Sequence, residues 1–538
     1  MSRQTLASSG EGPDRTSTNF TERWPIELWL NVFDLAYPIQ TWDPRLVLRD
    51  SLSLSWVCTR WRQATIGYTQ FWSTIVLDWH SELLELYIRR SGDHPLHVYF
   101  NPDQGDPDFI DEERHTIQRN FRQVFGDAFN MGRIRRMDLT VLDTSLNIVL
   151  DEYVSQHEAH ALETFIYNTE NYGLRRRPAF ARAFSGIPPP RLRCLTLSGD
   201  KIPVHSPILS PALQDLTLDG MNLGGPEAIF GVLQSLPSLN RLRLLNSLDD
   251  LRNGNLFLGT TVELPYLENL ELGDETLAVV NFVRRLHVPH LQDFQVSIMH
   301  ESLTIDVAHI RNSITDTFTA VGQMLIFDAD ASRPSYNELR VRFGVMYSHL
   351  EFILSGGQDG LPERLHFSFH DTDYLDEFQF DDSAESNPNI VLVRHGLREL
   401  PFVSNLQSLV IGPTVDFTSV DDWTEALEAI PHIQAVHCMG ADGAYVALGL
   451  ARALRARPTL FARLTRISLF NFLGSASNFD QELGAFLTIV AEGSDDAAAI
   501  ERESPLELSI EGRCNLPPET LERLRRVLGV TSVRVSKG

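Results

Sequence analysis

Histidines, acids and glycines at short spacing are the residues of this sequence that could bind metals or nucleotides. In "HEAH", His157 and His160 stand three residues apart, whereas a zinc-binding H-E-x-x-H helix needs them four apart. The acidic run at 371–385, "DTDYLDEFQFDDSAE", lacks the glycine and the ligand spacing of an EF-hand calcium loop. We therefore predict surface histidines, a solvated or disordered acidic insertion and no metal site.

Two further patterns could bear chemistry but favour structural roles. Gly440 and Gly443 lie between a predicted strand and a predicted helix, yet neither G-x-G-x-x-G nor a P-loop lysine is present, so a repeat turn is favoured over a nucleotide site. The cysteines show no CxxC spacing, which predicts buried thiols rather than disulfides or zinc ligands. They are Cys58, Cys194, Cys438 and Cys514. No catalytic residue and no cofactor is predicted.

Charge and hydropathy limit the partners. The formal net charge of −25 disfavours binding to nucleic acid or to anionic membranes. No apolar run reaches the ~18 residues of a membrane span, and residues 1–20 lack the apolar core of a signal peptide. We expect a flexible tail over residues 1–20 and a cytoplasmic or nuclear protein.

The first apolar segment follows this tail. In "RWPIELWLNVFDLAY", Pro25 stands at a helix start, and the apolar spacing predicts a helix to about Ala36. A second apolar stretch, "LSWVCTRWR", begins at Leu54, and "QFWSTIVL" leads into a predicted short strand. A helical hairpin rich in tryptophan is therefore expected near the N-terminus.

This segment resembles an F-box, in the F-box-like form of large fungal families. The resemblance rests on "WPIEL", "LSWVCTRWR" and Phe71-Trp72, with Trp24 in place of the usual leucine and extra residues between the first two blocks. It implies a three-helix domain over residues 21–80 that docks on a Skp-type adaptor and through it on a cullin. The residues expected to form its core or contact the adaptor are Trp24, Pro25, Leu28, Leu54, Val57, Cys58, Trp61 and Trp72. The alternative is that the tryptophans only anchor this hairpin to the rest of the chain.

A self-similar element follows at residue 190. Five segments share a leading proline and an L-x-x-L-x-L core, with prolines 21, 26, 28 and 24 residues apart. They are "PRLRCLTLSGD", "PALQDLTLDGM", "PSLNRLRLLNS", "PYLENLELGDE" and "PHLQDFQVSIM". The pattern resembles leucine-rich repeats, although Asp200, Ser247 and Glu275 stand where an asparagine is usual. We expect an α/β chain in which residues 81–538 form one irregular solenoid, least regular over 81–180 and 300–400, with further strands near residues 134, 161, 339, 364, 405, 432, 464 and 505.

Side chains alternate along such strands, so the residues between the leucines share the opposite face. One predicted column contains Cys194, Asp215, Arg241, Asn269 and Asp293, and the next contains Thr196, Thr217, Arg243, Glu271 and Gln295. Apart from Cys194 and Thr196, these are the predicted substrate-binding residues of the concave face. The mixed polar lining suits a protein or peptide ligand, and the alternative is that these positions are merely solvated.

Lysine is nearly missing from the sequence. Of the 46 lysines and arginines, only Lys201 and Lys537 are lysines. Lysine is the usual acceptor of ubiquitin, so a ligase subunit would gain resistance to self-modification, although GC-rich coding also favours arginine. These features favour a substrate receptor of an SCF-type cullin-RING ubiquitin ligase without an active site of its own. The alternative is a ligase-independent repeat scaffold, and a hydrolase or transferase is least favoured.

Overall fold

The chain forms a mixed α/β structure, which divides into two compact units, Met1–Thr164 and Phe165–Gly538. The computed structural model describes residues 24–36, 53–101, 107–141, 144–169, 180–199, 201–221, 223–252, 261–299, 307–325, 336–343, 349–356, 364–370, 388–401, 406–412, 420–439, 449–450, 452–453, 456, 464–470, 507–512 and 533–537. The predicted tail, the acidic run 371–385, the turn at 440–443 and Cys514 lie outside the described residues.

Unit 1 combines short parallel strands with helices. Its helices are α1 (Ile26–Ala36), α2 (Thr59–Gly67), α3 (Ser81–Ser91), α4 (Pro107–Phe125), α5 (Ala128–Arg133) and α6 (Thr144–Val154), and residues 53–57 are also helical. Its strands are β1 (Thr74–Val76), β2 (Leu96–Phe100) and β3 (Ile134–Thr140), and β2 pairs in parallel with both β1 and β3. The helix predicted from Pro25 to about Ala36 is confirmed as α1.

A buried asparagine joins α4 to the chain that enters α3. The Asn120 amide nitrogen donates to the carbonyls of Leu77 at 3.0 Å and Trp79 at 2.7 Å, and its amide oxygen accepts from the Ser81 hydroxyl at 2.8 Å. Because Asn120 is fully buried, these bonds replace the water that its amide lost on folding. The contact fixes where α3 begins.

Unit 2 is built on a large sheet. Its strands are β4 (Thr164–Asn168), β5 (Cys194–Ser198), β6 (Asp215–Asp219), β7 (Arg241–Leu245), β8 (Val262–Glu263), β9 (Asn269–Asp274), β10 (Leu286–His287), β11 (Asp293–Ile298), β12 (Glu338–Phe343), β13 (His349–Ser355), β14 (Arg364–His370), β15 (Ser408–Ile411), β16 (Ala435–Met439), β17 (Arg466–Phe470), β18 (Glu507–Gly512) and β19 (Val533–Lys537). Its helices are α7 (Pro226–Gln234), α8 (Thr276–Val283), α9 (Val307–Leu325), α10 (Pro388–Glu399) and α11 (Val420–Ala429). The strands predicted in the five proline-led segments are confirmed as β5, β6, β7, β9 and β11.

Parallel pairing dominates the sheet of unit 2. The spatial order is β5, β6, β7, β9, β11, β14, β13, β12, β15, β16, β17, β18 and β19. Among these described pairings, only the two made by β13 are antiparallel. Strand β13 was not predicted from the sequence, and β8 and β10 form a separate parallel pair.

A proline turn precedes each of the five repeated strands. The N–H of the first repeat leucine donates to the carbonyl three residues earlier, as from Leu213 to Ser210 and from Leu239 to Leu236. The intervening proline occupies the second turn position, where its fixed φ is favourable. The same bond joins Leu192 to Pro189, Leu267 to Leu264 and Leu291 to Val288.

The strands bury alternate residues. In β5, Leu195 and Leu197 are buried while Cys194, Thr196 and Ser198 are half-buried, and β6 repeats this pattern. In β13 and β14, the face with Phe352, Phe367 and Phe369 packs on Phe318 of α9, at ring distances of 4.5 to 6.3 Å among these residues. The leucine and phenylalanine face therefore forms the core, and the other face carries the polar side chains. In β13 and β14 that other face is also covered, because Glu351, His366 and Ser368 are buried.

Side chains other than the usual asparagine satisfy the turns after β7 and β9. The Ser247 hydroxyl donates to the Leu245 carbonyl at 2.7 Å and accepts from the Met221 N–H at 3.0 Å. The buried Asp274 carboxylate accepts from the N–H groups of Leu248 and Glu275, both at 2.8 Å. Backbone donors that would otherwise be left buried without partners are thereby paired.

No helix in the described part of the chain has the length and apolar character needed to cross a bilayer.

Unit 1 contains a histidine that should make stability depend on pH. Burial, with smaller contributions from the charges of Arg135 and Arg136, lowers the pKa of His97 from 6.5 to about 4. Between these values the unfolded chain binds a proton that the folded chain excludes, so this stability is present above pH 6.5 and lost as pH falls through 4. Between pH 7 and pH 4, the free energy of unfolding of the wild type should fall by about 3 kcal/mol more than that of His97→Gln.

Urea unfolding at the two pH values measures this effect, and His115→Gln, at an exposed histidine of α4, is the matched control. Equal pH dependence in the wild type and His97→Gln would contradict the role assigned to His97.

Candidate functional site

Helix α1 carries large apolar side chains on its exposed side. Leu28, Val32 and Leu35 are spaced four and three residues apart, so they follow one another along one face of the helix. Their exposed fractions are 46%, 39% and 84%. A helix face of this kind is typical of a surface that a partner covers.

The neighbouring side of α1 is closed by aromatic contacts within unit 1. Trp29 is buried, and its ring lies 5.1 Å from Trp24 and 4.9 Å from Trp61 of α2. Arg60 of α2 donates from Nη2 to the Trp24 carbonyl at 2.5 Å. These contacts hold α1 and α2 together. They leave the side chains of Leu28, Val32 and Leu35 exposed.

The stretch before and within α2 shows the same division. Leu54 is buried, whereas Trp56 and Val57 are 73% and 60% exposed and Ile66 of α2 is 41% exposed. We call the six residues Leu28, Val32, Leu35, Trp56, Val57 and Ile66 the N-terminal apolar surface. Of these six, only Leu28 and Val57 were among the residues predicted to form the F-box core or contact the adaptor. Spacing identified apolar positions, but it did not distinguish those that are buried within the chain from those that are exposed.

Cys58 corrects the prediction of buried thiols. It is exposed and caps the N-terminus of α2, where its sulfur accepts from the Trp61 N–H at 3.5 Å. A residue directly before a helix supplies an acceptor for the unpaired N–H groups of the first turn, and that role places its side chain at the surface. Cys194 is half-buried, and Cys438 alone of the described cysteines is fully buried, where burial raises its pKa to about 12.

Trp72 belongs to the core of unit 1. It is 1% exposed, its Nε1 donates to the Thr65 carbonyl at 2.8 Å, and its ring lies 4.9 Å from Tyr87. The guanidinium of Arg90 lies 4.3 Å from the ring centre, in a cation–π contact. The residue matched to the end of the F-box pattern is therefore anchored to α3, beyond residue 80, and Pro25 is exposed.

The second candidate site is the polar face of the sheet in unit 2. Cross-strand register aligns Cys194, Asp215, Arg241, Asn269 and Asp293 in one column and Thr196, Thr217, Arg243, Glu271 and Gln295 in the next. We call these two columns the polar strand face. Arg241 and Arg243 are exposed, and Arg243 forms an ion pair with Glu271 at 3.1 Å.

The columns continue onto β14, a strand outside the five proline-led segments. Strand β14 pairs directly with β11, which places Arg364 beside Asp293 and His366 beside Gln295. Strands β12 and β13 intervene in sequence but lie on the far side of β14. The repeat pattern at Arg364 was visible in the sequence, whereas its register with β11 was not.

The remaining candidates for chemistry do not converge. The predicted surface position of His160 is confirmed: its Nε2 lies 2.9 Å from the Glu158 carboxylate, whereas the half-buried His157 has Nε2 at 3.2 Å from the Gly126 carbonyl. Within the described ranges, no three histidine, cysteine, aspartate or glutamate residues are grouped so as to hold a metal ion.

Comparison with known proteins identifies no family for this chain. No family model and no curated protein matches the chain. Among solved structures, the chain is similar to a crystal structure of a Bacteroides fragilis protein from the Northeast Structural Genomics Consortium, at 11% sequence identity. The match covers 74% of this chain and 82% of that chain with a TM-score of 0.20, which is too low to define a shared fold.

The division of the N-terminal aromatic and apolar residues predicts two kinds of variant. Leu28→Ser and Leu35→Ser should change the free energy of unfolding by less than about 0.5 kcal/mol, because both side chains are exposed. Trp72→Ala should cost about 3 to 5 kcal/mol, because it removes a buried indole and its hydrogen bond. Urea unfolding followed by circular dichroism measures both, and a large loss in the leucine variants would show that their face is covered within the chain.

Proposed function

We propose that this chain is a substrate receptor of an SCF-type cullin-RING ubiquitin ligase, with an F-box-like adaptor-binding domain and a leucine-rich-repeat-like solenoid. The observation that carries the proposal is the N-terminal apolar surface, which lies within the segment that resembles an F-box. Six large apolar side chains remain substantially exposed there, while the adjacent Trp29, Leu54 and Trp72 are buried. In this proposal a Skp-type adaptor covers the surface and links the chain to a cullin.

The free energy of adaptor binding depends on how many of the six apolar side chains the adaptor buries. Each large apolar side chain contributes at most roughly 1.5 to 3 kcal/mol when it becomes fully buried. Association costs at least about 4 kcal/mol and often much more, so the three residues of α1 alone give little net affinity. Trp56, Val57 and Ile66 double the number of exposed large apolar side chains in this segment, and the proposed docking requires the adaptor to contact both groups.

The repeated geometry of unit 2 supports the second half of the proposal. Five strands have the same proline turn, the same alternation and continuous parallel register, as expected when similar units stack on one another. Stacking leaves one face of the strands with short and long polar side chains in columns. In the proposed function this face binds the protein to be ubiquitinated, and the chain positions that substrate rather than transforming it.

Adaptor capture tests the proposed function directly. Leu28→Glu, Leu35→Glu and Val57→Glu place a charge where the adaptor would exclude water, and each should weaken binding at least about tenfold. The measurement is co-purification of a Skp-type adaptor and cullin, followed by titration of the purified adaptor. Ile148→Glu is the matched control, because Ile148 is a 63% exposed apolar residue of α6 outside the N-terminal apolar surface.

If the wild-type chain captured neither adaptor nor cullin, the ligase function would be wrong, and a repeat scaffold with other partners would replace it. Equal capture by all four variants would instead show that the adaptor binds elsewhere.

The scarcity of lysine gives a second test. Lys201 is exposed and Lys537 belongs to β19, so we expect self-ubiquitination to be low and confined to these residues or the terminal amine. Arg89→Lys, Arg182→Lys and Arg284→Lys add acceptors at exposed sites of the described surface without changing charge. The triple variant should turn over faster in cells, and proteasome inhibition should remove the difference.

The control is the triple lysine variant that also carries Leu35→Glu, which should bind the adaptor weakly. Faster turnover that persists in this control would be unrelated to the adaptor. An unchanged half-life in adaptor-bound, folded protein would indicate that lysine scarcity has no protective role.

A further inference from the structure

Ion pairs on the polar side of the sheet follow a simple rule within the described strands. Where an arginine and a glutamate are directly opposite on neighbouring strands, they form an ion pair. Arg243 and Glu271 are 3.1 Å apart, and Arg466 and Glu507 are 3.0 Å apart. Arg342 also contacts Glu351, its partner in register on β13.

Two arginines in the first column stand opposite an aspartate instead. Arg241 is in register with Asp215, and Arg364 is in register with Asp293. Both arginines are exposed, and neither forms an ion pair with any residue of the described chain. The aspartate side chain is one methylene shorter than that of glutamate. In addition, the Asp215 carboxylate accepts from the Cys194 thiol at 3.3 Å, on the side away from Arg241.

The distance between these two arginines fits an extended peptide. They stand on β7 and β14, which are separated by β9 and β11. Three strand spacings amount to about 14 Å, the length of about four residues of extended chain. Residues i and i+4 of such a chain share a face with residue i+2, which would lie above Asn269 and Asp293.

The surrounding charges select the ligand class. Asp215 and Asp293 stand beside the two arginines, and the whole chain has a net charge of −25. A continuous polyanion such as a nucleic acid backbone would be repelled by these carboxylates. A peptide with two separated acids and a hydrogen-bond donor between them meets opposite charge at each point.

We propose that Arg241 and Arg364 each bind one acidic side chain of an extended protein segment with the pattern acid-x-basic-x-acid, the basic residue facing Asp293. This site deepens the proposed function by naming the substrate class that the polar strand face recognises. Binding requires no adaptor, so the full chain is tested alone.

The probe is a fluorescein-labelled peptide, Gly-Ser-Glu-Ala-Lys-Ala-Glu-Ser-Gly, and the comparison peptide has the same composition with the two glutamates adjacent. Fluorescence anisotropy with the full-length protein at about 0.1 M salt should show at least about fivefold tighter binding of the spaced peptide. Arg241→Ala and Arg364→Ala should each remove about that factor, and the double variant should lose the preference for spacing.

Two charge-conserving variants give the sharpest test. Asp215→Glu and Asp293→Glu lengthen the neighbouring acid by one methylene, and we expect each to pair with the adjacent arginine as in the existing Arg–Glu pairs. Each should therefore weaken the spaced peptide about as much as loss of that arginine. Asp219→Glu is the control, because Asp219 lies on the same face in register with Ser198 and Leu245 rather than an arginine.

Equal binding of the two peptides, or full binding by Asp215→Glu and Asp293→Glu, would overturn the proposed peptide site. Stronger competition by duplex DNA than by the spaced peptide would overturn the ligand class. Adaptor titration on the same protein separates these outcomes from failure of the ligase function, since none of these substitutions alters a residue of the N-terminal apolar surface.

Discussion

A carbonyl shared between consecutive strands sets the register on which the rest of unit 2 depends. The Arg193 carbonyl accepts from the N–H groups of both Gln214 and Asp215, and the Gln214 carbonyl accepts from Asn240 and Arg241 in the same way. Because side chains alternate with a period of two, a slip of one residue would exchange the leucines and the polar residues between faces. The repeated bond therefore positions the core and the polar strand face together.

The reversed strand β13 interrupts the repeats without disturbing this alternation. It runs antiparallel between β12 and β14, and these two strands consequently keep the direction of the rest of the sheet. β14 can then pair in parallel with β11, and β12 with β15. The insertion brings Arg364 next to Asp293, although 70 residues separate them in sequence.

The sequence predicted local patterns well and long-range partners poorly. Leucine spacing and prolines located β5, β6, β7, β9 and β11, because both act within one repeat. Only five residues separate Phe343 from His349, too few for a parallel crossover, so the reversal of β13 was detectable from loop length. The burial of Trp72 against Tyr87 and the exposure of Val57 depend on α3 and on the packing of α1 and α2, contacts that no spacing rule specifies.

The two candidate surfaces differ in the physics that each can offer a partner. The N-terminal apolar surface gains free energy by excluding water, which favours a partner that stays bound and is insensitive to salt. The polar strand face and its continuation on β14 offer two exposed guanidinium groups, Arg241 and Arg364, that form no ion pair with described residues, and ion pairs made by such groups are individually weak and screened by salt. This combination fits the proposed function, in which a receptor keeps its adaptor and exchanges its substrates, since a substrate bound as firmly as the adaptor would block the next one.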